Sequence, residues 1–174
     1  MSEQPEQPHP TPPEAPDVPR RVNLSGSQRA AAVLLLILPV LAALGVFGES
    51  FSTADASSAE MRLSAEYPSR LRFRLDSRLV VTIENTGQQT LRAPTVHFER
   101  DYIDRFVGIS FMPSPTEITS DAYLVTLGDL APGNTQVVTV QLQGSQYGHH
   151  QGRIWVSVDG QAAAELAVSS IVFP

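Results

Sequence analysis

The stretch "GSQYGHHQGRIW", residues 144–155, holds the residues that most invite a chemical reading. His149 and His150 are adjacent, beside Tyr147 and between glycines. In an extended backbone, neighbouring side chains point to opposite faces. That is poor geometry for joint metal chelation, and His97 and His9 lie far away in sequence. A titrating contact with a partner is the other role open to the pair, since imidazole changes charge near neutrality. The chain has no cysteine, which removes disulfides, thiolate metal sites and a thiol nucleophile. Glu99, Asp101 and Asp104 cluster beside a loop, but their spacing is not that of a calcium-binding loop. No Gly-x-Ser-x-Gly element and no glycine-rich phosphate loop occurs. The expectation is therefore a protein that is not an enzyme, with no catalytic, cofactor or metal residue.

Two features suit a candidate interaction surface instead. Arg70, Arg72 and Arg74 recur at every second residue, with Arg78 nearby. On one strand face they would form a basic strip about 13–14 Å long, able to meet lipid phosphates or an acidic partner. The same row would also serve as a solvated edge that discourages aggregation. Trp155 is the single tryptophan, and it falls out of phase with Ile154, Val156 and Val158. If those three are core, Trp155 faces outward, where aromatic residues often mark interfaces.

These side chains need a scaffold, and from residue 59 onward the pattern has period two. Met61, Leu63 and Ala65 share one side. So do Leu71, Phe73 and Leu75, then Leu79, Val81 and Ile83, then Val138, Val140 and Leu142. Such alternation predicts strands with one face on a core and one toward water. Turn chemistry separates the runs: "NTG" at 85–87, "PSP" at 113–115, "LAPGN" at 130–134 and "DG" at 159–160. Asp159-Gly160 between apolar runs predicts a two-residue hairpin. A short helical turn is expected within residues 99–106. The histidines fall in the predicted connection between a strand ending near Gln143 and one beginning at Arg153. The fold class is all-β: an immunoglobulin-like antiparallel β-sandwich of about 7–9 strands on residues 59–174.

Three zones precede it in a chain of 174 residues with net charge −6. Residues 1–28 hold seven prolines in the first nineteen positions and read as a disordered, Pro-rich cytoplasmic tail. Residues 29–48 read as one transmembrane helix, because "AAAVLLLILPVLAALGVFG" (residues 30–48) is uncharged and spans about 28 Å as a helix. Arg20, Arg21 and Arg29 precede the run, which places the N-terminus in the cytoplasm and the β-domain outside. Ala54-Asp55-Ala56 has the small-x-small pattern of a signal-peptidase site, so the alternative is a secreted protein after cleavage. Residues 49–58 read as a polar linker. All basic residues are arginine, and the acidic balance argues against nucleic acid as a partner.

"LVVTIENTGQQTL", "LGDLAPGNTQVVTVQL" and "GRIWVSVDG" together resemble the bacterial immunoglobulin-like β-sandwich domains of the CARDB/DUF11 kind. The shared pattern is a strand ending in Asn-x-Gly, a Leu-x-Pro-Gly turn into a Thr/Val-rich strand, and a late strand ending in Asp. It covers roughly residues 60–168. The resemblance implies a sandwich of seven or eight strands and an adhesion, spacer or accessory role, with Asn85, Gly87, Pro132 and Gly133 as turn formers. The segment from Glu99 to Thr119 is longer than that pattern. The functional expectation is a non-catalytic, single-pass accessory module in the cytoplasmic membrane. Its partners would be the lipid bilayer and a membrane or envelope protein. The rival is an envelope polysaccharide-binding or adhesion domain, though Trp155 has few aromatic companions for stacking sugars.

Overall fold

The structure, a computed structural model, describes residues 25–43 and 48–174. The expected tail falls almost wholly outside the described residues. The chain divides into two units, an N-terminal helical one and a β-unit.

The N-terminal unit contains helix α1, Gly26–Ala43, with Pro39 inside it. Ala, Leu and Ile supply the helix-forming run. Val33, Leu34, Leu35, Leu36 and Ile37 are all exposed, and five consecutive residues at 100° each encircle a helix. Among the described residues no helix is long and apolar enough to cross a membrane. The apolar run continues in sequence through residues 44–47, which are outside the described residues.

The β-unit contains strands β1 (Ser50–Ser57), β2 (Met61–Arg72), β3 (Asp76–Asn85), β4 (Thr95–Glu99), β5 (Phe106–Met112), β6 (Glu117–Ile118), β7 (Ala122–Thr126), β8 (Thr135–Gly144), β9 (Gly148–Val158) and β10 (Gln161–Phe173), with the short helix α2 (Arg100–Ile103) after β4. Among the described residues these form one sheet in the order β5-β8-β3-β2-β10-β9-β4-β7-β6, with β1 on the other edge of β2. The sheet curls on itself. Phe111 of β5 stacks on Tyr123 of β7 with ring centroids 5.3 Å apart, and meets the edge of Phe98 of β4 at 5.4 Å. Strands from the two ends of the order thus touch across one core.

The predicted inward faces are correct for most strands. Met61, Leu63, Ala65, Leu79, Val81, Ile83, Val138, Val140, Leu142, Ile154 and Val156 are buried. Asp159 and Gly160 have φ of 51° and 76°, the two positive values of a type I′ turn, and Val158 pairs with Gln161 across it. The helical turn appears as α2, which buries Tyr102 and Ile103.

Strand β2 changes partners along its length. Residues 61–66 pair antiparallel with β3, and residues 70–72 pair parallel with β10. Pro68 lies between the two ladders, where its missing N–H costs no hydrogen bond. A register shift opposite Ser50 and Phe51 marks the same place on the β1 side.

Three expectations are corrected. Residues 50–57 are not linker but strand β1, paired with β2 throughout. Their polarity hides an alternation in which Ala54 and Ala56 pack against the core, and an edge strand needs no larger residues there. The arginine row ends at Arg72, because the chain must reverse between β2 and β3. Arg74 sits in that reversal with φ of 60°, and Leu75 is exposed rather than inward. The histidines belong to strand β9, so the corner is only Ser145–Tyr147. Asn85 makes its expected turn, its Oδ1 accepting from the Gly87 N–H, and is in addition fully buried.

Asn85 links two motifs that are 45 residues apart. Its Nδ2 donates to the carbonyls of Gln89 and Leu130, each at 2.7 Å. Its Oδ1 accepts from the Gly87 N–H at 3.0 Å. Its backbone N–H donates to the Asn134 carbonyl, and its carbonyl accepts from the Gly133 N–H. The Asn-x-Gly and Leu-x-Pro-Gly segments are therefore one hydrogen-bonded end of the β-unit.

Two predictions follow from this packing. Ile83→Ala should cost about 2–5 kcal/mol in equilibrium denaturation; a loss near zero would place Ile83 off the core. Asn85→Asp would set a buried carboxylate against two carbonyl oxygens, with an expected cost of about 3–5 kcal/mol near neutral pH. Burial raises that acid's folded pKa, so the deficit relative to wild type should shrink as pH falls through the raised value. A deficit independent of pH would contradict the geometry.

Candidate interaction surface

The opposite end of the β-unit carries the arginines. The chain enters this end at Ser50, which pairs with Arg70, and Arg70 pairs in turn with Ile171 of β10. Arg70 and Arg72 are exposed because Leu71 between them is in the core. The Arg72 guanidinium lies 5.9 Å from the centre of the Phe173 ring, and that of Arg74 lies 5.3 Å from Phe73. Phe73 packs on Tyr147 with centroids 4.7 Å apart. Arg78, on β3, is exposed. Among the described residues salt bridges are made by Arg62, Arg100 and Arg153, and Arg70 and Arg78 make none.

Two grooves flank Phe51 at this end. One, of about 590 Å³, is lined by Ser50, Tyr67, Ser69, Arg70 and Ile171. The other, of about 720 Å³, is lined by Glu49, Asp76, Arg78 and Gly108. Ser69 donates its hydroxyl to the Ser50 carbonyl at 3.1 Å. Both carboxylates here are occupied: Asp76 accepts from Gln143 at 2.9 Å, and Glu49 accepts from the Ser77 hydroxyl.

Trp155 faces away from the core, as its phase predicts, and is half-buried. It sits on β9 between Glu165 of β10 and His97 of β4. The His97 ring stacks on it at 4.9 Å and 10°, and the Arg153 guanidinium lies 6.0 Å from its ring centre. Arg153 is held by Glu99 at 3.2 Å and Glu165 at 3.6 Å. Both carboxylates raise its pKa. Ile171, beside Arg70, pairs with His149, and Trp155 lies six residues farther along β9, roughly 20 Å. The arginine end and Trp155 are thus separate surfaces.

The histidines point to opposite sides. His149 is exposed and hydrogen-bonds with Ser169 Oγ at 2.6 Å. His150 donates from Nε2 to the Gln146 carbonyl at 2.8 Å and presents its ring to the edge of Phe106. The acidic cluster is spread among separate partners. Glu99 serves Arg153, while Asp104 accepts from the Tyr123 hydroxyl at 2.6 Å and from Arg100 at 3.1 Å. Those hydrogen bonds, Tyr123 first, hold Asp104 below the usual carboxylate range. Among the described residues no group of three or more His, Asp or Glu is placed to hold a metal ion.

One polar chain escaped the sequence reading. Ser170 is buried and donates to the Pro68 carbonyl at 2.6 Å. Its only proton is thereby committed, so the Tyr102 hydroxyl donates to Ser170 Oγ at 2.8 Å. Burial pushes the Tyr102 phenol up to about 12. Gly152 makes room for this ring, since a Cβ there would lie 2.3 Å from Tyr102 Cβ. The signal available in sequence was the apolar spacing of Tyr102, Ile103 and Phe106 opposite a mid-strand glycine.

Burial holds the His97 imidazole below its ordinary value of 6.5, and its Nε2 hydrogen-bonds with Ser157 at 2.8 Å. Below pH 6.5 the unfolded chain binds more protons than the folded one. Stability present above that pH is therefore lost as pH falls through the folded value. In denaturation between about pH 7.5 and pH 5, His97→Asn should show a shallower decline than wild type. Equal slopes would remove His97 as a source of acid sensitivity.

No protein-family model matches the chain, and no curated protein matches it. Solved structures similar to it include the CARDB domain of a Pyrococcus furiosus protein, determined by NMR. That domain is 12% identical with a TM-score of 0.46, and the match covers 65% of this chain and 94% of that one. A crystal structure of the same domain, in complex with di-metal ions, gives 12% identity and a TM-score of 0.43 over 72% and 89% of the two chains. A Vibrio harveyi exo-β-N-acetylglucosaminidase with bound N-acetylglucosamine is 19% identical at a TM-score of 0.36, over 67% of this chain but 18% of the enzyme. The chain is thus similar, at low identity, to CARDB domain structures.

Proposed function

We propose that this chain is a non-catalytic, membrane-anchored interaction module. In this reading residues 30–48 anchor it in the cytoplasmic membrane with the N-terminus inside. The β-unit then stands outside as an immunoglobulin-like sandwich of the CARDB kind. The observation that carries the reading is the exposed apolar girdle of α1, from Val33 to Ile37. A helix that is apolar all round finds its favourable environment in lipid or a large core. Arg20, Arg21 and Arg29 supply the cytoplasmic flank.

The position of Ala54-Asp55-Ala56 favours a retained anchor over a cleaved one. These residues are the centre of β1 and pair with Ala65, Ser64 and Leu63. Cleavage after Ala56 would strip β1 from β2 and uncover the core that Ala54 and Ala56 close. A polysaccharide-binding role is less favoured, because sugars stack on open aromatic faces and His97 already covers one face of Trp155.

Expressed in bacteria, the full chain should remain in the membrane pellet after alkaline carbonate extraction. Protease applied from outside should attack the β-unit and spare the tail. A freely soluble chain beginning at Ser57 would overturn the reading.

A further inference from the structure

We propose that the end of the β-unit where the chain enters at Ser50 is an interfacial surface for an anionic lipid bilayer. Its arginines would meet lipid phosphates, and its exposed apolar side chains would enter the headgroup layer. The inference rests on the anchored reading above and adds an orientation to it.

Exposed apolar side chains and arginines coincide at this end. Leu75 is 44% exposed, Ile171 44%, Phe51 42% and Tyr147 57%. All four belong to the same end, joined by the pairs Ser50–Arg70 and Arg70–Ile171 and by the Phe73–Tyr147 ring contact. Interspersed among them are Arg70, Arg74 and Arg78, none of which forms a salt bridge among the described residues. Aromatic and apolar side chains mixed with arginine are the composition that settles at a membrane–water interface. The opposite end differs. Among the described residues none of its turns, at 86–90, 131–134 and 159–160, carries a large exposed apolar side chain. The surface is also local in charge, since the chain as a whole has net charge −6. Anionic lipid would attract this end and repel the remainder. Finally, strand β1 begins at Ser50, two residues after the apolar run ends in sequence.

The test uses the full chain in vesicles of phosphatidylcholine with or without phosphatidylglycerol. Because the sequence has no cysteine, Leu75→Cys or Gln88→Cys gives a single site for a nitroxide label. Vesicle flotation reports anchoring, and collision with oxygen against an aqueous nickel chelate reports depth. The expected result is flotation with both vesicles, with the label at 75 shielded from nickel only when phosphatidylglycerol is present. The label at 88 should stay fully accessible. Combining Arg70/Arg74/Arg78→Gln with Leu75→Cys should restore nickel access, each arginine contributing about fivefold to the partition. If the chain floats but position 75 is as accessible as position 88, the orientation falls and the anchor stands. Shielding that ignores both phosphatidylglycerol and the arginines would also overturn the inference. If the chain does not float, both readings fall.

Discussion

Strand β2 has to leave one partner and join another, and the rest of the β-unit depends on how that exchange is made. Its ladder with β3 ends at Glu66, and its ladder with β10 begins at Arg70. The three residues between would ordinarily expose backbone groups inside the fold. Pro68 removes one of them by having no N–H. Its carbonyl is satisfied by Ser170, whose hydroxyl is in turn satisfied by Tyr102. The buried chain therefore ties β2, β10 and α2 together at the point where the sheet turns over. Each link is needed, because an unpaired buried polar group costs about 1–3 kcal/mol.

That exchange also decides which surfaces exist. Carried from β3 to β10, the end of β2 sets Arg70 and Arg72 beside the C-terminal residues Ile171 to Phe173. Strand β1 follows β2 along the other edge and brings the chain's entry to the same place. At the far end, the Asn85 amide gathers the turns into a polar, hydrogen-bonded cap. The two ends of one small unit thus differ in kind, one polar and closed, the other apolar, basic and open.

Much of this was legible in sequence where the signal is local. Alternation placed Leu79, Val81 and Ile83 inward, and it placed Trp155 outward against Ile154 and Val156. Asp159-Gly160 dictated its own turn. What escaped depends on partners distant in sequence. Nothing near Ser50–Ser57 reveals that two alanines suffice to close an edge of the core. Asn85 reads as a turn former until Leu130 is known to lie beside it. The arginine row looked continuous because period two says nothing of where a strand ends. The helical turn of residues 99–106 was legible, but its burial of Tyr102 was not, because the room for that ring comes from Gly152 on a distant strand. Of the candidate surface, the sequence named the arginines and Trp155. The structure separates them and adds Phe51, Leu75, Tyr147 and Ile171 to the arginines.

In the proposed reading the β-unit rests on the bilayer by its arginine-bearing end, held there by the helix that precedes it. Neutron reflectometry of the full chain in a supported bilayer containing phosphatidylglycerol measures this directly, as the protein density profile along the membrane normal. The expected result at low salt is a protein layer that begins within the headgroups, with no intervening water, and that stays on the bilayer through a high-salt wash because the helix holds it. A water-filled gap between headgroups and protein, or a layer that washes away, would contradict it.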